Sequence, residues 1–528
     1  MTVTIVSALI LLGAAWPLAD LWVRRPFRRT FPKLAVYLGM ALGAYVLTVA
    51  VLALLFPQAA QFLALVALVS ILFQLWRSRP GYGTGRGLPP GKLTLLPTGA
   101  WLDQDFFDKQ GKLYGPVFKT SHFTKPMVCV VGLEAGFEAL RKYEDDALRP
   151  PEAAFARYIP CSYIRSMSQE DHRKYRPILQ AAVSSEVNSF HADSIRSIVT
   201  RHLGRMCDDG SAALDPYAID ALYETLFLLF YGVAPSAAEQ RELRELYRIL
   251  DVSHQRRATI WAPPDPVVQK TLDRTLQILQ IQIDEFVSAP TAPDAPPRSY
   301  LEAAWRHAGA GALDRLVLLN LIFLLQVSCA DLTGLFAWLL KHMSVHTDWQ
   351  DRLRRTVDEH GFESVDAAGL GQRMAIETLR LEQSEHIYRK VMKPIEVGGY
   401  RIPAGWLFRI CVRESHRNSP AFADPKSFNP DRFLNRAHPP NEYAPFGMFR
   451  RRCIGVDTAE VVGSILVRVL VENFEWQTLD PGTPEFRGWH WTPGSGFAVR
   501  LTRRIAGSRE SSGKAPSASR GGAVGQLD

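Results

Sequence analysis

Three long apolar runs dominate the first eighty residues of the chain. They cover residues 3–23, 34–56 and 59–76, and each is close to the ~20 residues that a helix needs to cross the hydrocarbon core of a bilayer. The first run lacks the basic segment that opens a signal peptide, and two more runs follow it. The pattern therefore predicts a membrane anchor of about three transmembrane helices within residues 1–80.

Beyond residue 100 the pattern becomes that of a folded, mainly helical body with a small β component. Helices are predicted over residues 134–142, 221–231, 267–287 and 456–470. Short strands are predicted over residues 117–120, 127–131, 394–397, 400–402 and 406–412. Gly398 and Gly399 separate two of these strands, which predicts a tight hairpin between them.

The longest periodic segment covers residues 313–343 and would form a helix of roughly 45 Å. A fourth membrane span is the alternative interpretation of so apolar a segment. The segment also contains polar residues, and an aspartate such as Asp331 costs about 2.5–3.5 kcal/mol at the centre of a bilayer. The prediction is therefore a long helix through the core of a soluble body. An ionisable residue in such a helix needs a partner or a wet cavity.

Composition divides the chain into four parts. Residues 81–100 are rich in glycine and proline, which predicts a stiffened hinge after the anchor. Residues 507–528 contain almost no large apolar side chains and are predicted to form a disordered tail. Between these segments lies one large domain over residues 101–506. The chain as a whole is 47% hydrophobic and 22% charged, which is typical of a protein that buries a core.

The chain carries 61 Lys and Arg against 53 Asp and Glu, a formal net charge of +8. Such an excess can indicate nucleic-acid binding, but the first 80 residues alone contain seven basic residues and one acidic residue. Most of the excess therefore flanks the predicted spans, and no nucleic-acid partner is expected. The basic loop 24–33, together with Arg77 and Arg79, satisfies the positive-inside rule if the body is cytoplasmic. The sequence thus predicts a multi-pass integral membrane protein whose large domain is cytoplasmic.

The strongest chemical signal is the segment FGMFRRRCIG over residues 446–455. Its three arginines precede Cys453, and nearby positive charge favours the thiolate form that binds metals. The helix predicted to begin after Gly455 would add the positive end of its dipole. A basic surface turn with an incidental cysteine is the alternative interpretation. The remaining cysteines form no CxxC pair and are expected to be free thiols; they stand at positions 129, 161, 207, 329 and 411.

Two other segments add weight to this motif. Glu377 and Arg380 are spaced to share one helix face, and Arg432 lies in the turn FNPDRF over residues 428–433. A glutamate and two arginines followed by a thiolate loop and a helix resemble the cytochrome P450 superfamily of haem-thiolate enzymes. The resemblance spans roughly residues 88–500, from the proline hinge LPPG onward, and is most specific over residues 446–455. It implies a single large haem domain with the mainly α fold of that superfamily.

The resemblance also implies roles for individual residues. Cys453 would be the axial thiolate ligand of the iron of haem b, iron protoporphyrin IX, and Phe446 would pack beside its sulfur. Glu377, Arg380 and Arg432 would form a buried charge network on the proximal side. The haem propionates would contact four basic residues, namely His172, Arg176, Arg389 and Arg451.

Two positions depart from the family's pattern. Phe449 stands where the thiolate loop usually has glycine, so we expect a different backbone or a displaced ring there. In the preferred alignment of the central helix, Asp331 takes the acid position and Thr333 the second alcohol position, but Leu332 replaces the key threonine. An alignment shifted by one residue places Ala330 and Asp331 at the acid–threonine pair instead. Asp331 and Thr333 are the predicted catalytic residues, which would deliver protons.

The resemblance implies a membrane-bound monooxygenase that inserts an oxygen atom from O₂ into a small apolar substrate, lipid-like or a secondary metabolite. A reductase or ferredoxin-like protein would donate the electrons, docking on the face of Arg450, Arg451 and Arg452. The missing threonine leaves open a peroxide-dependent enzyme, or a haem-thiolate isomerase or dehydratase. A non-catalytic haem sensor or binding protein is a further alternative, because the charge network also serves the fold.

Overall fold

The computed structural model describes residues 2–23, 32–94, 99–122, 125–151, 158–159, 163–234, 238–250, 265–289, 292, 294–309, 313–362, 364–382, 386–487, 490–494 and 496–504. The predicted tail over residues 507–528 lies outside the described residues, as does most of the basic loop 24–33.

The N-terminal apolar runs form helices that pack on one another. They are α1 Thr2–Ala14, α2 Trp16–Val23, α3 Pro32–Leu55 and α4 Pro57–Arg77. Two segments of 21 residues, Ala35–Leu55 and Pro57–Arg77, are long and apolar enough to cross a membrane. Only 11% of each is buried, so both helices present apolar side chains outward, as lipid-facing helices do.

The first apolar run differs from the prediction of a single span, because it is divided between α1 and α2 at Ala15. The 13 residues of α1 rise only about 20 Å, less than the ~30 Å thickness of the hydrocarbon core. The Tyr45 hydroxyl of α3 donates to the Leu11 carbonyl oxygen of α1 at 2.7 Å. The N-terminal region therefore contains two helices of full membrane length, with a shorter broken segment packed against them.

Fifteen further helices build the body within the described residues. They are α5 Gly99–Leu102, α6 Phe106–Tyr114, α7 Leu133–Tyr143, α8 Gln169–Ala182, α9 Ser185–Phe190, α10 Ala192–Asp208, α11 Asp215–Tyr231, α12 Ala238–Leu250, α13 Pro266–Ser288, α14 Tyr300–His307, α15 Arg315–Val345, α16 Thr347–His360, α17 Val365–Leu381, α18 Val412–His416 and α19 Val456–Asn473. The predicted mainly α architecture with a small β component is confirmed.

The strands are few and short, and they form one five-stranded sheet and three hairpin-like pairs. They are β1 Val117–His122, β2 Lys125–Val130, β3 Leu148–Arg149, β4 His386–Val391, β5 Ile395–Val397, β6 Tyr400–Ile402, β7 Leu407–Cys411, β8 Phe474–Pro481, β9 Glu485–Arg487, β10 His490–Thr492 and β11 Phe497–Arg503. The large sheet has the order β1-β2-β7-β4-β3. Only β2 and β7 pair in parallel within it.

The predicted glycine hairpin is present between β5 and β6. Ile395 pairs with Ile402 and Val397 with Tyr400 in antiparallel register. Gly398 and Gly399 between them have φ of 57° and 79°, the left-handed conformation that a two-residue turn of this kind requires.

The helix α15 runs through the main hydrophobic core of the body. It is 31 residues long, and 67% of its most apolar window is buried. Its side chains share one core cluster with those of α8, α10, α11 and α19. The prediction of a core helix rather than a fourth membrane span is therefore supported by the burial.

The proline hinge between anchor and body is fastened to the first strand of the sheet. The Lys119 ammonium of β1 donates to the carbonyl oxygens of Pro89 at 2.6 Å and Pro80 at 3.0 Å. The Lys119 amide also donates to the Pro90 carbonyl. Gly91 has φ of 124°, and a Cβ there would lie 2.1 Å from the Lys119 carbonyl oxygen. Only glycine permits this close approach.

Candidate functional site

The loop before α19 presents the sulfur of Cys453 outward. A short 3₁₀ turn over Phe449–Arg451 precedes the cysteine, whose amide donates to the Phe446 carbonyl oxygen at 2.9 Å. The Gly455 amide donates to Cys453 Sγ at 3.3 Å. Cys453 is exposed, whereas Cys129, Cys329 and Cys411 are buried. A sulfur that accepts a backbone N–H at the start of a helix is in an environment that stabilises the thiolate.

The predicted conflict at Phe449 appears as an unusual backbone conformation. Phe449 has φ of 58°, in the left-handed region that a non-glycine residue avoids at a cost of roughly 1–2 kcal/mol. Its ring packs against the Phe137 ring of α7, with centroids 4.4 Å apart. The loop therefore keeps the conformation of a glycine, and the aromatic contact offsets the strain. Phe446 is partly buried against the main core cluster.

Basic groups from three elements converge beside this loop. Arg451 donates to the carbonyl oxygens of Ile164, Arg165 and Met167 at 3.1, 3.0 and 2.8 Å. Arg176 of α8 donates to the Arg452 carbonyl oxygen at 2.8 Å. Burial, together with the positive charges of Arg389 and Arg176, lowers the pKa of Arg451 to about 10.

Arg389 of β4 is nearly buried and pairs with Glu144 at 2.6 Å. His172 of α8 is also buried, and its Nε2 has no hydrogen-bond partner among the described residues. Burial lowers the His172 pKa to about 4, and the nearby cations Arg451, Arg176, Arg450 and Arg389 contribute. The cluster thus holds more positive than negative charge, together with an unsatisfied buried nitrogen. Both features fit a ligand with carboxylate groups.

The predicted charge network is assembled around a fully buried carboxylate. Arg380 makes a bidentate pair with Glu377, with Nε–Oε2 of 2.6 Å and Nη2–Oε1 of 2.9 Å, and both side chains have 0% exposure. Arg432 Nε lies 3.1 Å from Glu377 Oε1. The Asn429 amide donates to the same oxygen at 2.9 Å.

The two arginines also satisfy the backbone of an irregular segment. Arg380 donates to the carbonyl oxygens of Pro425 and Ser427. Arg432 donates to those of Ala423 and Asp424. The guanidinium groups therefore bind α17 to the chain that leads towards the cysteine loop.

His416 is a further positioning residue that sequence reasoning missed. It is fully buried, its Nδ1 lies 3.2 Å from the Arg380 carbonyl oxygen, and its Nε2 accepts from the Ala444 amide at 3.0 Å. Burial and the Arg380 charge lower its pKa to about 3. The imidazole is therefore neutral at pH 7 and can donate at one nitrogen while it accepts at the other. It links α17 to the start of the cysteine loop.

Two adjacent residues in the middle of the central helix α15 are exposed to solvent. Ala330 and Asp331 are exposed, whereas Leu332 and Cys329 are buried. The Thr333 hydroxyl donates to the Cys329 carbonyl oxygen of its own helix at 2.7 Å. The exposed pair is thus the one that the shifted alignment places at the acid–threonine positions.

Asp331 has a partner from the other end of the chain. His490 Nε2 of β10 lies 2.9 Å from Asp331 Oδ1. Sequence reasoning missed His490, because 159 residues separate the two and no local motif joins them.

Known proteins resemble this chain over most of its length. The family model for cytochrome P450 matches residues 333–491, a stretch that includes Glu377, Cys453 and His490. The chain is a cytochrome P450.

The relatives of this P450 include hydroxylases of plants. It is 24% identical to taxoid 7-beta-hydroxylase of Taxus cuspidata over 79% of this chain and 89% of that protein. It is 22% identical to abscisic acid 8'-hydroxylase 3 of Oryza sativa subsp. japonica, over 83% and 91% of the two chains. These relatives support an oxidoreductase of the monooxygenase type that acts on lipids or secondary metabolites.

The fold of this P450 agrees with solved structures. Retinoic acid bound cyanobacterial CYP120A1 matches it with a TM-score of 0.66 and 19% identity, over 79% of this chain and 99% of that one. A zebra fish cytochrome P450 structure with progesterone matches with a TM-score of 0.60 and 16% identity, over 75% and 98%. Proteins of this family bind haem.

We expect Glu377→Gln to destabilise the protein by about 3–5 kcal/mol, because it leaves Arg380 and Arg432 without their buried carboxylate. The free energy of unfolding in urea, measured on the full-length protein, checks this. Asp208→Asn is the matched control, since its pair with Arg503 is more than half exposed on both sides, and it should cause no measurable change. Equal losses in the two variants would contradict a special role for the buried network.

Proposed function

We propose that this P450 is a haem-thiolate monooxygenase that inserts one oxygen atom from O₂ into a small apolar metabolite. A redox partner protein supplies two electrons for each turnover. The observation that carries the proposal is the exposed sulfur of Cys453 at the start of α19, beside a buried cluster with excess positive charge. The hydroxylase relatives support both the reaction class and an apolar substrate.

The residues of the site fit haem b, and we assign their roles accordingly. Cys453 would hold the iron through its sulfur, and Phe446 would pack beside that sulfur. His172, Arg176, Arg389 and Arg451 would hold the two propionates, whose negative charges match the excess positive charge of that cluster. When bound, a haem with a thiolate ligand supplies the activation of O₂.

The protein groups perform the remaining tasks. The network of Glu377, Arg380 and Arg432, extended by His416, holds the cysteine loop in place. Asp331 is the group that delivers protons, because its carboxylate is 50% exposed at the solvent-accessible position in the middle of α15. Thr333 has a smaller part than the sequence predicts, since its hydroxyl is already bonded within the helix.

The electron donor docks on the basic face beside the cysteine loop. Arg450 and Arg452 are exposed there, whereas Arg451 points inward to three carbonyl oxygens. Exposed arginines attract an acidic partner and raise the rate of encounter.

The membrane anchor places the enzyme with substrates that dissolve in lipid. Helices α3 and α4 cross the bilayer, so that the basic loop 24–33 and the haem domain lie on the same side, which the positive-inside rule makes the cytoplasmic side. A reporter enzyme fused to the C-terminus should be active only in the cytoplasm. Activity of an externally restricted reporter, with loss of the cytoplasmic one, would reverse this orientation.

We expect Cys453→Ser to abolish the thiolate-type Soret band in the carbon monoxide difference spectrum of the reduced protein, because a serine oxygen cannot replace the sulfur electronically. The spectrum of the full-length protein measures this directly. Cys207→Ser is the control, since Cys207 is a partly exposed cysteine of α10, and it should retain the band. A wild type without such a band would overturn the assignment of the ligand.

We expect His172→Leu to weaken haem binding by about tenfold or more, because a propionate would lose one charge-assisted partner. The rate of haem transfer to apomyoglobin measures the loss. The stability of the haem-free protein should not fall, because His172 Nε2 has no partner among the described residues.

The control for haem transfer is Arg450→Leu. Arg450 lies at the same rim, but it is exposed and pairs with Asp145 at 3.1 Å. It should retain haem like the wild type. Unchanged haem retention in His172→Leu would remove His172 from the propionate site.

A further inference from the structure

The carboxylate of Asp331 is held from outside its own helix. Asp331 and its neighbour Ala330 are exposed in the middle of α15, and half of the Asp331 side chain reaches solvent. A carboxylate accepts hydrogen bonds unless it is protonated, so the hydrogen in the 2.9 Å contact with Oδ1 lies on Nε2 of His490. His490 is only 13% exposed, so the imidazole lies mostly under cover while the carboxylate reaches the open face of the helix.

The strand that carries His490 is anchored to the same helix at a second point. Trp338 Nε1 of α15 donates to the Trp491 carbonyl oxygen of β10 at 2.7 Å, and both tryptophans are buried. Trp338 follows Asp331 by seven residues, two helical turns or about 10.5 Å. Trp491 in turn pairs with Phe486 across the β9–β10 hairpin. Two contacts along α15 therefore fix the position of the imidazole.

The groups next to Asp331 on α15 do not provide an alternative path for protons. Leu332 has no hydroxyl group and is buried. The Thr333 hydroxyl already donates its hydrogen to the Cys329 carbonyl oxygen. His490 is the titratable group in hydrogen-bond contact with the carboxylate, and an unperturbed imidazole gains and loses a proton near neutral pH.

We propose that His490 is a positioning residue for the oxygenation reaction, which orients Asp331 and returns a proton to it in every turnover. This inference rests on the proposed function. The overall reaction consumes one O₂, two electrons and two protons, and it forms one hydroxyl group and one water. In the proposed step, His490 in its imidazolium form gives the Nε2 proton to the ionised Asp331 at Oδ1 and becomes a neutral imidazole. Asp331 then passes that proton towards the substrate side and returns to the carboxylate form. His490 takes its next proton from the solvent.

The decisive variant is His490→Gln, measured on the full-length holoenzyme with its redox partner. A glutamine amide can still donate a hydrogen bond to Asp331, but it cannot carry a proton through the cycle. We expect product formed per electron pair to fall at least about tenfold, with the electrons released as peroxide. The dissociation constant of the substrate, measured from the spectral shift that it causes, should stay the same.

Two further variants complete the kinetic test, namely Asp331→Asn and the double variant that combines it with His490→Gln. If the two residues act as one unit, the double variant should lose no more coupling than the worse of the two single variants. The control is His360→Gln, because His360 is an exposed histidine that also faces a carboxylate, Glu359, at 3.8 Å. It should couple electrons to product like the wild type.

A readout without turnover tests the contact itself. In the reduced, carbon monoxide-bound holoenzyme with ¹³C-labelled histidine, the ring resonance that disappears in His490→Gln belongs to His490. This resonance should shift in Asp331→Asn and stay in place in His360→Gln. A resonance that does not respond to Asp331 would overturn the pairing.

The outcomes separate the inference from the proposed function. If the wild type forms no hydroxylated product although it binds haem and accepts electrons, the proposed function fails. If the wild type is active and His490→Gln is equally well coupled, the function stands and the relay through His490 is wrong. If His490→Gln loses its carbon monoxide spectrum, the pair is tested without it, through a histidine ring resonance of the wild type that shifts in Asp331→Asn and stays in place in His360→Gln.

Discussion

The buried carboxylate of Glu377 is the interaction on which the proximal half of the body depends. Forty-four residues separate β7 from α19, and apart from α18 and the 3₁₀ turns Pro430–Phe433 and Phe449–Arg451 they form no regular secondary structure. Such a segment has carbonyl groups without helical or sheet partners, and buried carbonyls need donors. Arg380 and Arg432 supply those donors, and the fully buried carboxylate of Glu377 pairs with both guanidiniums. One carboxylate thus makes it possible to bury two arginines that organise the route to Cys453.

The two buried charge clusters of this P450 differ in how fully their hydrogen-bonding groups are satisfied. Around Glu377 the carboxylate meets its partners at 2.6–3.1 Å, and His416 joins them in the neutral form. Around His172 the cations outnumber Glu144, and one ring nitrogen has no partner among the described residues. A cluster whose hydrogen bonds are all made holds the fold rigid. A cluster with excess cations and an unpartnered nitrogen can bind an anionic ligand. This difference favours a structural role for the first cluster and cofactor binding for the second.

Local chemistry made much of this architecture predictable from the sequence. The apolar runs, the glycine hairpin and the i, i+3 pair of Glu377 and Arg380 depend on residues close in the chain, and periodicity reveals them. The break at Ala15 was not predictable, because it depends on packing against α3. At Phe449 the sequence predicted a conflict, but it did not predict the contact with Phe137 that accompanies the left-handed backbone. The inward direction of Arg451 is likewise a tertiary effect, since its acceptors lie nearly 290 residues away.

The two sides of the proposed haem site also differ in this way: one depends on residues close in the chain, and the other on tertiary contacts. The cysteine side is encoded largely in one continuous segment, residues 446–455. The open face of α15 is completed by the β9–β10 hairpin, which is attached through one side chain contact at Asp331 and one at Trp338. A hairpin held at two points can exchange its residues without disturbing the helix or the thiolate loop. Departures from the family's usual proton-delivery residues are therefore tolerated on this side, and their replacements must be sought on a different element from the one that lost them.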